Sequence, residues 1–501
     1  MPKLIVAGLF LLFSVPVWAA GGTFRAWQQP FLWISLLAWI LFVLQPAVPR
    51  LPSRKTRLKH LLRDPAFWCA LMFLALLVVQ HLNTGRMLIF DFDQNDYTYT
   101  SPPRPGLPWS FSGEESAEMI RWFVPVLTGA LLLRHAWKAL PQREFLNLIC
   151  LNGFLNALLA FVHMNLGWKA MYNFQRFGED VYGSFGYPNH GAMFFILTFA
   201  LSFGLLLREV FSESTDRDRP TLFLNAIWAP TLFLAANLST SRSGILGSWL
   251  VVGLTLGTLS MIAWPRVHPV QRLTGAIAVV LILAGFAAAF VGFAEPIHLR
   301  ELRNATVDLN LFTEMQDRLF QVESAFHMWR EHPWFGVGGW GYRYLVGNYL
   351  PQSEWIRLGI GKANVHNDWM QFLAEFGLIG FLLLLGALAP AARKAFQSIF
   401  KAPTLDNSAW ANPLRISALW GLVILLLVSQ IDIPLRSPAL FLHGILLLTL
   451  LAPHPDALSV WRPVVDWERL QPPAMRFRAP SASPARHSNL PKTSSRPGKK
   501  T

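Results

Sequence analysis

Apolar runs of close to 20 residues recur along the whole chain, and no other feature limits its folding so strongly. Such a run is long enough to cross a hydrocarbon layer of about 30 Å, where no water is present to hydrogen-bond free backbone groups. An α-helix satisfies those groups internally, so each run is expected to be helical. Spans are read at residues 4–20, 31–48, 66–82, 119–138, 145–165, 188–207, 221–239, 244–263, 273–294, 366–388, 413–431 and 437–452. The expected fold is all-α: a polytopic membrane protein with about twelve transmembrane helices and a long helical loop at 295–365. Composition agrees: 53% of the 501 residues are hydrophobic and 14% charged, where soluble domains carry about a quarter charged residues. The first run, with Lys3 before it and Val17-Trp18-Ala19 at its end, also reads as a cleavable signal peptide. Cleavage would leave the remaining topology unchanged.

The formal net charge of +14 is unevenly spread. Basic residues fill alternate loops: Arg50 to Arg63, then Arg134, Lys138 and Arg143, then Arg208, Arg217 and Arg219. The series continues through Arg266 and Arg272 to Arg393, Lys394 and Lys401, and ends in the basic tail after Pro453. The intervening loops are acidic or balanced, as in 83–118 with Asp91, Asp93, Asp96, Glu114, Glu115 and Glu118. Basic loops mark the cytoplasmic side, so both termini are expected there and loop 295–365 on the other side. The Pro-, Ser- and Arg-rich tail is expected to be disordered and held near anionic headgroups, making membrane lipids partners. Nucleic acid is not expected as a partner, because the charge flanks spans and no basic globular module is present. Cys69 and Cys150 fall inside spans without metal-ligand spacing, and packing accounts for them.

With this topology the polar motifs fall at one side of the membrane. Gly186-Tyr187-Pro188-Asn189-His190-Gly191 opens the sixth span, Ser239-Thr240-Ser241-Arg242-Ser243-Gly244 the eighth, and Asn364-Val365-His366-Asn367-Asp368 the tenth. Helix N-termini present free N–H groups and partial positive charge, which suits an anion such as a diphosphate. Arg242 sits in a very short turn beside hydroxyls that can cap the following helix; it either pairs with an anion or snorkels to the interface. His366 is a general-base candidate or a structural histidine. Glu375, deeper in the same helix, is a candidate for binding or a hydrogen bond between helices.

In the long loop, Thr313-Glu314-Met315-Gln316 fits a capping box, followed by an apolar stripe of Leu319, Val322, Phe326 and Trp329. Arg318 lies near the start of that helix, and His332-Pro333 closes it. The run Trp334-Phe335-Gly336-Val337-Gly338-Gly339-Trp340 lacks the Lys-Ser/Thr ending of a nucleotide-binding loop. It reads as a tight aromatic turn on the membrane surface, or as Trp334 or Trp340 stacking on a sugar. Asp91 to Asp96 lacks the glycine and terminal glutamate of a calcium loop and reads as a solvated acidic loop. No metal site and no cofactor are expected.

Three stretches resemble the O-antigen ligase and polysaccharide polymerase family of bacterial envelopes. Ser241-Arg242-Ser243-Gly244 resembles its Ser-Arg-x-Gly signature, and Arg318 with Pro333 and Gly336-Val337-Gly338 its Arg…Pro-x-x-Gly-x-Gly element. His366-Asn367 with Glu375-x-Gly377 resembles its His-Asn…Glu-x-Gly element, and Phe185 to His190 a further segment in which Tyr187 replaces the usual Asn. The organisation is then N-terminal transmembrane helices over 1–182, a ligase-like core 183–390, C-terminal helices 391–452 and a tail 453–501. The resemblance implies a GT-C-like, metal-independent, inverting glycosyltransferase of the bacterial inner membrane with a periplasmic active site. Its donor would be a glycan on undecaprenyl diphosphate, and its acceptor a hydroxyl of a glycan or lipid-A core. Arg242 and Arg318 would neutralise the diphosphate, and His366 would activate the acceptor or help position the diphosphate. Asn189, His190, Ser241, Ser243, Asn367, Glu375, Trp334 and Trp340 are the associated binding candidates. A polymerase or a protein O-oligosaccharyltransferase would share this chemistry. A transporter or flippase would need charged residues distributed through the spans, which are largely apolar.

Overall fold

Helices form where the apolar runs lie because each run is bounded by residues that start or stop a helix. The structure, a computed structural model, describes residues 2–48, 51–85, 88–91, 96–166, 170–171, 175–176, 181–211, 218–239, 241–263, 284, 310–350, 364–400 and 412–452. Its first nine helices are α1 (Lys3–Trp18), α2 (Gln29–Leu44), α3 (Arg54–Leu62), α4 (Pro65–Leu82), α5 (Gly113–Ala136), α6 (Gln142–Leu166), α7 (Pro188–Val210), α8 (Arg219–Asn237) and α9 (Arg242–Ala263). They are followed by α10 (Asn310–Glu331), α11 (Tyr342–Leu345), α12 (Asp368–Phe400), α13 (Pro413–Val428) and α14 (Pro438–Leu451). Pro65, Pro188, Pro413 and Pro438 each open a helix, where a missing N–H costs nothing. Asp64 and Asn412 cap theirs by accepting from Ala66 N–H (3.1 Å) and Leu414 N–H (2.9 Å).

Every expected span coincides with a helix except that at 273–294, which apart from Ala284 lies outside the described residues, as does the tail from 453. Among the described residues seven helices, α2, α4, α5, α6, α7, α9 and α12, are long and apolar enough to cross a membrane. Lys3–Trp18, Pro413–Val428 and Pro438–Leu451 are shorter apolar helices. Extended structure among the described residues is limited to two short antiparallel hairpins, Leu88–Asp91 with Asp96–Tyr99 and Ala170–Met171 with Gln175–Arg176. The helix α7 is the hub, 94% buried over its apolar window and packed by α6, α8, α9, α13 and α14.

The loops alternate between two ends of the bundle. At one end Arg134 bonds Asp64, Arg143 meets Asp218 (3.1 Å) and Glu209 (3.6 Å), and Arg415 donates to the Ala452 carbonyl (2.8 Å). Among the described residues, this end collects the basic loops. At the other, Gln80 at the end of α4 donates to the Phe335 carbonyl (3.1 Å), and Arg25 before α2 meets Glu114 (2.8 Å) and Glu118 (3.1 Å) at the start of α5. The starts of α7, α9 and α12 lie at this second end.

Two expectations for the long loop are corrected. The helix α10 begins at Asn310, one turn before the expected capping box, so Thr313 lies inside it. The sequence shows why: Leu311 and Met315 extend the apolar period backwards from Leu319. Nor is the expected stripe one uniform face: Val322 packs against the buried cluster with Val337 and Tyr342. Leu319 and Phe326 are exposed, while Ala325 and Met328 are buried against Val337 and Tyr342. In a membrane protein an apolar stripe can mark the side turned away from the core, and smaller residues then make the close helix contacts. The helix ends at Glu331, before His332-Pro333, as expected.

Candidate functional site

The site is built around a break in α12. Gly377 has φ +64°, which no helix interior allows, so the chain divides there into two helical segments. The freed groups are taken up by the turn after α10. Val337 and Gly338 N–H donate to the Ala374 (3.0 Å) and Glu375 (2.8 Å) carbonyls, while Leu378 and Ile379 N–H donate to the Pro333 (2.8 Å) and Trp334 (3.0 Å) carbonyls. The approach is so close that a Cβ on Gly377 would stand 2.3 Å from the Trp334 carbonyl carbon, and one on Gly336 (φ +65°) 2.4 Å from that of Glu375. The Pro-x-x-Gly-x-Gly and Glu-x-Gly elements are therefore two halves of one splice. Each glycine is required by the other's backbone.

A second piece crosses in front of this splice: the loop Ser429 to Arg436 between α13 and α14. Asp432 is its centre. Its carboxylate accepts from Asn189 Nδ2 (2.8 Å) and from the Tyr187 hydroxyl (3.4 Å), and lies 3.5 Å from Nδ1 of His366. Arg318 reaches from α10 to donate to the Ile431 carbonyl (2.6 Å), and His190 Nε2 lies 3.2 Å from that of Ile433. Asn367 caps α12 by accepting from Met370 N–H (3.0 Å) and donates to the Gln430 carbonyl (3.1 Å). His366 itself holds φ +51°, a left-handed conformation uncommon for a side-chain-bearing residue and often found at functional sites.

The structure thus brings His366, Asn367, Arg318, Asn189 and His190 around one loop. Arg242 is the exposed first residue of α9, and Ser241 caps that helix by accepting from Gly244 N–H (3.2 Å) while bonding Ser243 (3.0 Å). Thr240 lies outside the described residues. This start packs on α7: a Cβ on Gly244 would stand 2.7 Å from Cβ of Ala192, two residues beyond His190. Glu375 is wholly buried and pairs with Arg436 (2.6 Å), the internal use that was the alternative to binding. The two tryptophans differ: Trp334 is 61% exposed, while Trp340 is buried under the guanidiniums of Arg343 (3.9 Å to the ring centroid) and Arg436 (5.1 Å).

Sequence reasoning missed Asp432 and Arg436. The signal was available, since both are charged residues in the short gap between two apolar spans, the argument that singled out Arg242. Tyr187, a departure from the family pattern, supplies a hydroxyl to the same carboxylate.

Electrostatically the loop is anionic at one point only among its described side chains, and that point is satisfied. Burial would push the Asp432 carboxyl up, but the His366 ring, the neighbouring His190 and the Ile433 N–H outweigh it and hold the group below the ordinary carboxylate range. Burial and the adjacent Asp432 push the Tyr187 phenol up, so it remains a protonated donor. The Arg318 guanidinium meets a neutral carbonyl and is half-exposed, which leaves its charge available to an incoming anion.

Fold and site together define a polytopic helical membrane protein whose polar motifs converge at one end of the bundle. Residues 229–385 match the family model described as O-Antigen ligase, the family that the motifs resemble. The match supports a membrane glycan-transfer function of the ligase kind, with glycan and lipid-linked substrates at a coarse level. It takes in Arg242, Arg318, His366 and Glu375 but not Asn189 or the loop with Asp432. No curated protein matches the chain.

Proposed function

We propose that the protein moves a glycan from an undecaprenyl-diphosphate carrier to an acceptor hydroxyl at the periplasmic face of a bacterial inner membrane. In this reading it is a GT-C-like enzyme of about twelve spans with both termini cytoplasmic. The observation that carries it is the meeting of His366, Arg318 and Asn189, from three distant segments, on the short loop around Asp432, with the start of α9 packed on the same helix, α7, that carries Asn189.

Arg318 and Arg242 neutralise the diphosphate, for which a guanidinium fork suits two oxygens at once. The N-termini of α7 and α9 add partial positive charge to the same region. His366, oriented by Asp432 at Nδ1, takes the acceptor hydroxyl proton at Nε2. The acceptor oxygen then bonds to the anomeric carbon as the bond from that carbon to the phosphate oxygen breaks. The electron pair leaves with the lipid diphosphate, whose developing charge the two arginines stabilise, and displacement from the opposite side inverts the anomeric centre. The reaction uses no nucleotide sugar and no metal ion.

The acceptor class is read by deleting the gene and identifying the lipid-linked glycan that accumulates. Full-length lipid-linked polymer is the expected result and marks a ligase. Accumulation of single repeat units would mark a polymerase, and carrier trapped on the cytoplasmic leaflet would overturn the transferase reading in favour of a flippase.

A further inference from the structure

The loop around Asp432 has supports of its own that the transfer chemistry does not touch. Its front end is tied to the start of α12: Asp368 N–H donates to the Ser429 carbonyl (2.9 Å), Trp369 Nε1 to Ser429 Oγ (2.9 Å) and Asn367 Nδ2 to the Gln430 carbonyl (3.1 Å). Its rear end is tied to the same helix. Leu435 N–H donates to the Asp368 carboxylate (2.8 Å), and the Arg436 guanidinium donates to the Glu375 carboxylate (2.6 Å). Ile431, Asp432 and Ile433 lie between the two anchorages, and they carry the contacts to Arg318, His366, Asn189 and His190.

The rear anchor is unusual in its surroundings. Arg436 is 1% exposed and Glu375 0%. The guanidinium lies over Phe372 (4.9 Å) and Trp340 (5.1 Å), with Nη1 3.6 Å from the Met119 sulfur. Glu375 takes one further bond, from Gln371 Nε2 (3.0 Å). Stability does not explain such a pair, because the lost hydration of two charges offsets their attraction and an apolar pair of similar volume would hold the helices as well. What an apolar pair cannot supply is one fixed register. The directional bond sets Arg436 against Glu375, and the Glu375 carbonyl is itself locked by Gly338 N–H at the Gly377 break.

We infer that Arg436, through its buried pair with Glu375, is a positioning residue that fixes Asp432 and thereby aims the imidazole of His366. The inference deepens the transfer reading above and rests on it. Arg436 touches no substrate; it transmits the geometry of the splice at Gly377 to the loop.

The test uses the full-length protein in lipid nanodiscs with a lipid-diphosphate-linked glycan and a hydroxyl acceptor. Replacing both partners together, Arg436→Met with Glu375→Met, leaves neither member of the pair behind as an unpaired buried charge. The variant should melt like the parent and keep the KM for donor, while kcat falls about 10- to 100-fold, the scale of a small misplacement of a reacting group. In an Asp432→Asn background the same pair of substitutions should have no further effect on kcat, since both routes end at the same imidazole. Parental kcat in the folded variant, or losses that multiply with that of Asp432→Asn, would overturn the positioning role. Should the apolar pair fail to insert, Arg436→Lys keeps the charge and loses the fork. It should show the same fall in kcat, and parental kcat there would overturn the role equally. His366→Ala and Arg318→Ala serve as controls. If they are inactive while the pair variant is not, only the positioning role falls; if they transfer normally, the site reading falls with it.

Discussion

Both ends of the bundle hold ion pairs, Arg25 with Glu118 and Arg436 with Glu375 at the site end among them, but only the site end adds the contacts of Arg318 and Asp432. At the basic end carboxylates meet cations side chain to side chain: Asp64 with Arg134, Asp218 with Arg143, Glu209 with Arg208 (3.1 Å). Those charges cancel locally and tie helix ends together. At the other end Arg318 meets a backbone carbonyl, and Asp432 meets an imidazole, an amide and a phenol. Arg318 meets no carboxylate among the described contacts and lies near helix N-termini, the condition for receiving a diphosphate. Ion pairs tie helix ends together at both ends, and Arg318, held by a carbonyl, is where an incoming anion can be met.

The substitutions with the largest expected effect are those at the site end. Arg318→Ala, Arg242→Ala and His366→Ala should each lower glycan transfer by about 10³-fold or more while the protein inserts normally, measured as product formed per inserted protein. Next in size is the splice. Gly377→Ala puts a Cβ 2.3 Å from the Trp334 carbonyl carbon at φ +64°, so it should cost about 3 kcal/mol or more and lower the unfolding midpoint together with transfer. Gly253, on α9 with nothing within 4 Å of a Cβ, is the control, and Gly253→Ala should leave both unchanged.

Asp432→Asn sharpens the comparison by removing one carboxylate that meets no guanidinium among the described contacts. Transfer should fall by about 10²-fold. Because folding lowers the Asp432 pKa, its contribution to stability is present above the unfolded-state value and is lost as pH falls through the depressed one. The parent should therefore lose stability on acidification more steeply than Asp432→Asn, as followed by thermal unfolding across that range. Smallest of all is Arg143→Ala at the basic end. About 1 kcal/mol of stability should go, with kcat unchanged.

Much of this contrast was legible in the sequence. Apolar runs set the helices, and the alternation of basic loops separated the ends, because each depends on a local pattern. Ser241 was recognisable as a cap and His366 as a residue at a helix start. The splice was not legible: Gly336 and Gly377 are ordinary glycines until a positive φ and a neighbouring backbone make them necessary. Asp432 escaped because its partners, Asn189 and His366, are far away in sequence. Glu375 could not be assigned between binding and packing without Arg436. The stripe on α10 misled because periodicity reveals that a face is apolar but not what covers it.

The central claim is that the Arg318 guanidinium receives a lipid-borne diphosphate while His366 takes the acceptor proton. Single-turnover transfer from a lipid-diphosphate-linked glycan tests it most directly, with donor binding measured separately for the parent, Arg318→Ala and His366→Ala. The account predicts that Arg318→Ala loses both donor binding and the chemical step, whereas His366→Ala binds donor and fails to transfer. Parental single-turnover rates in both variants would contradict it.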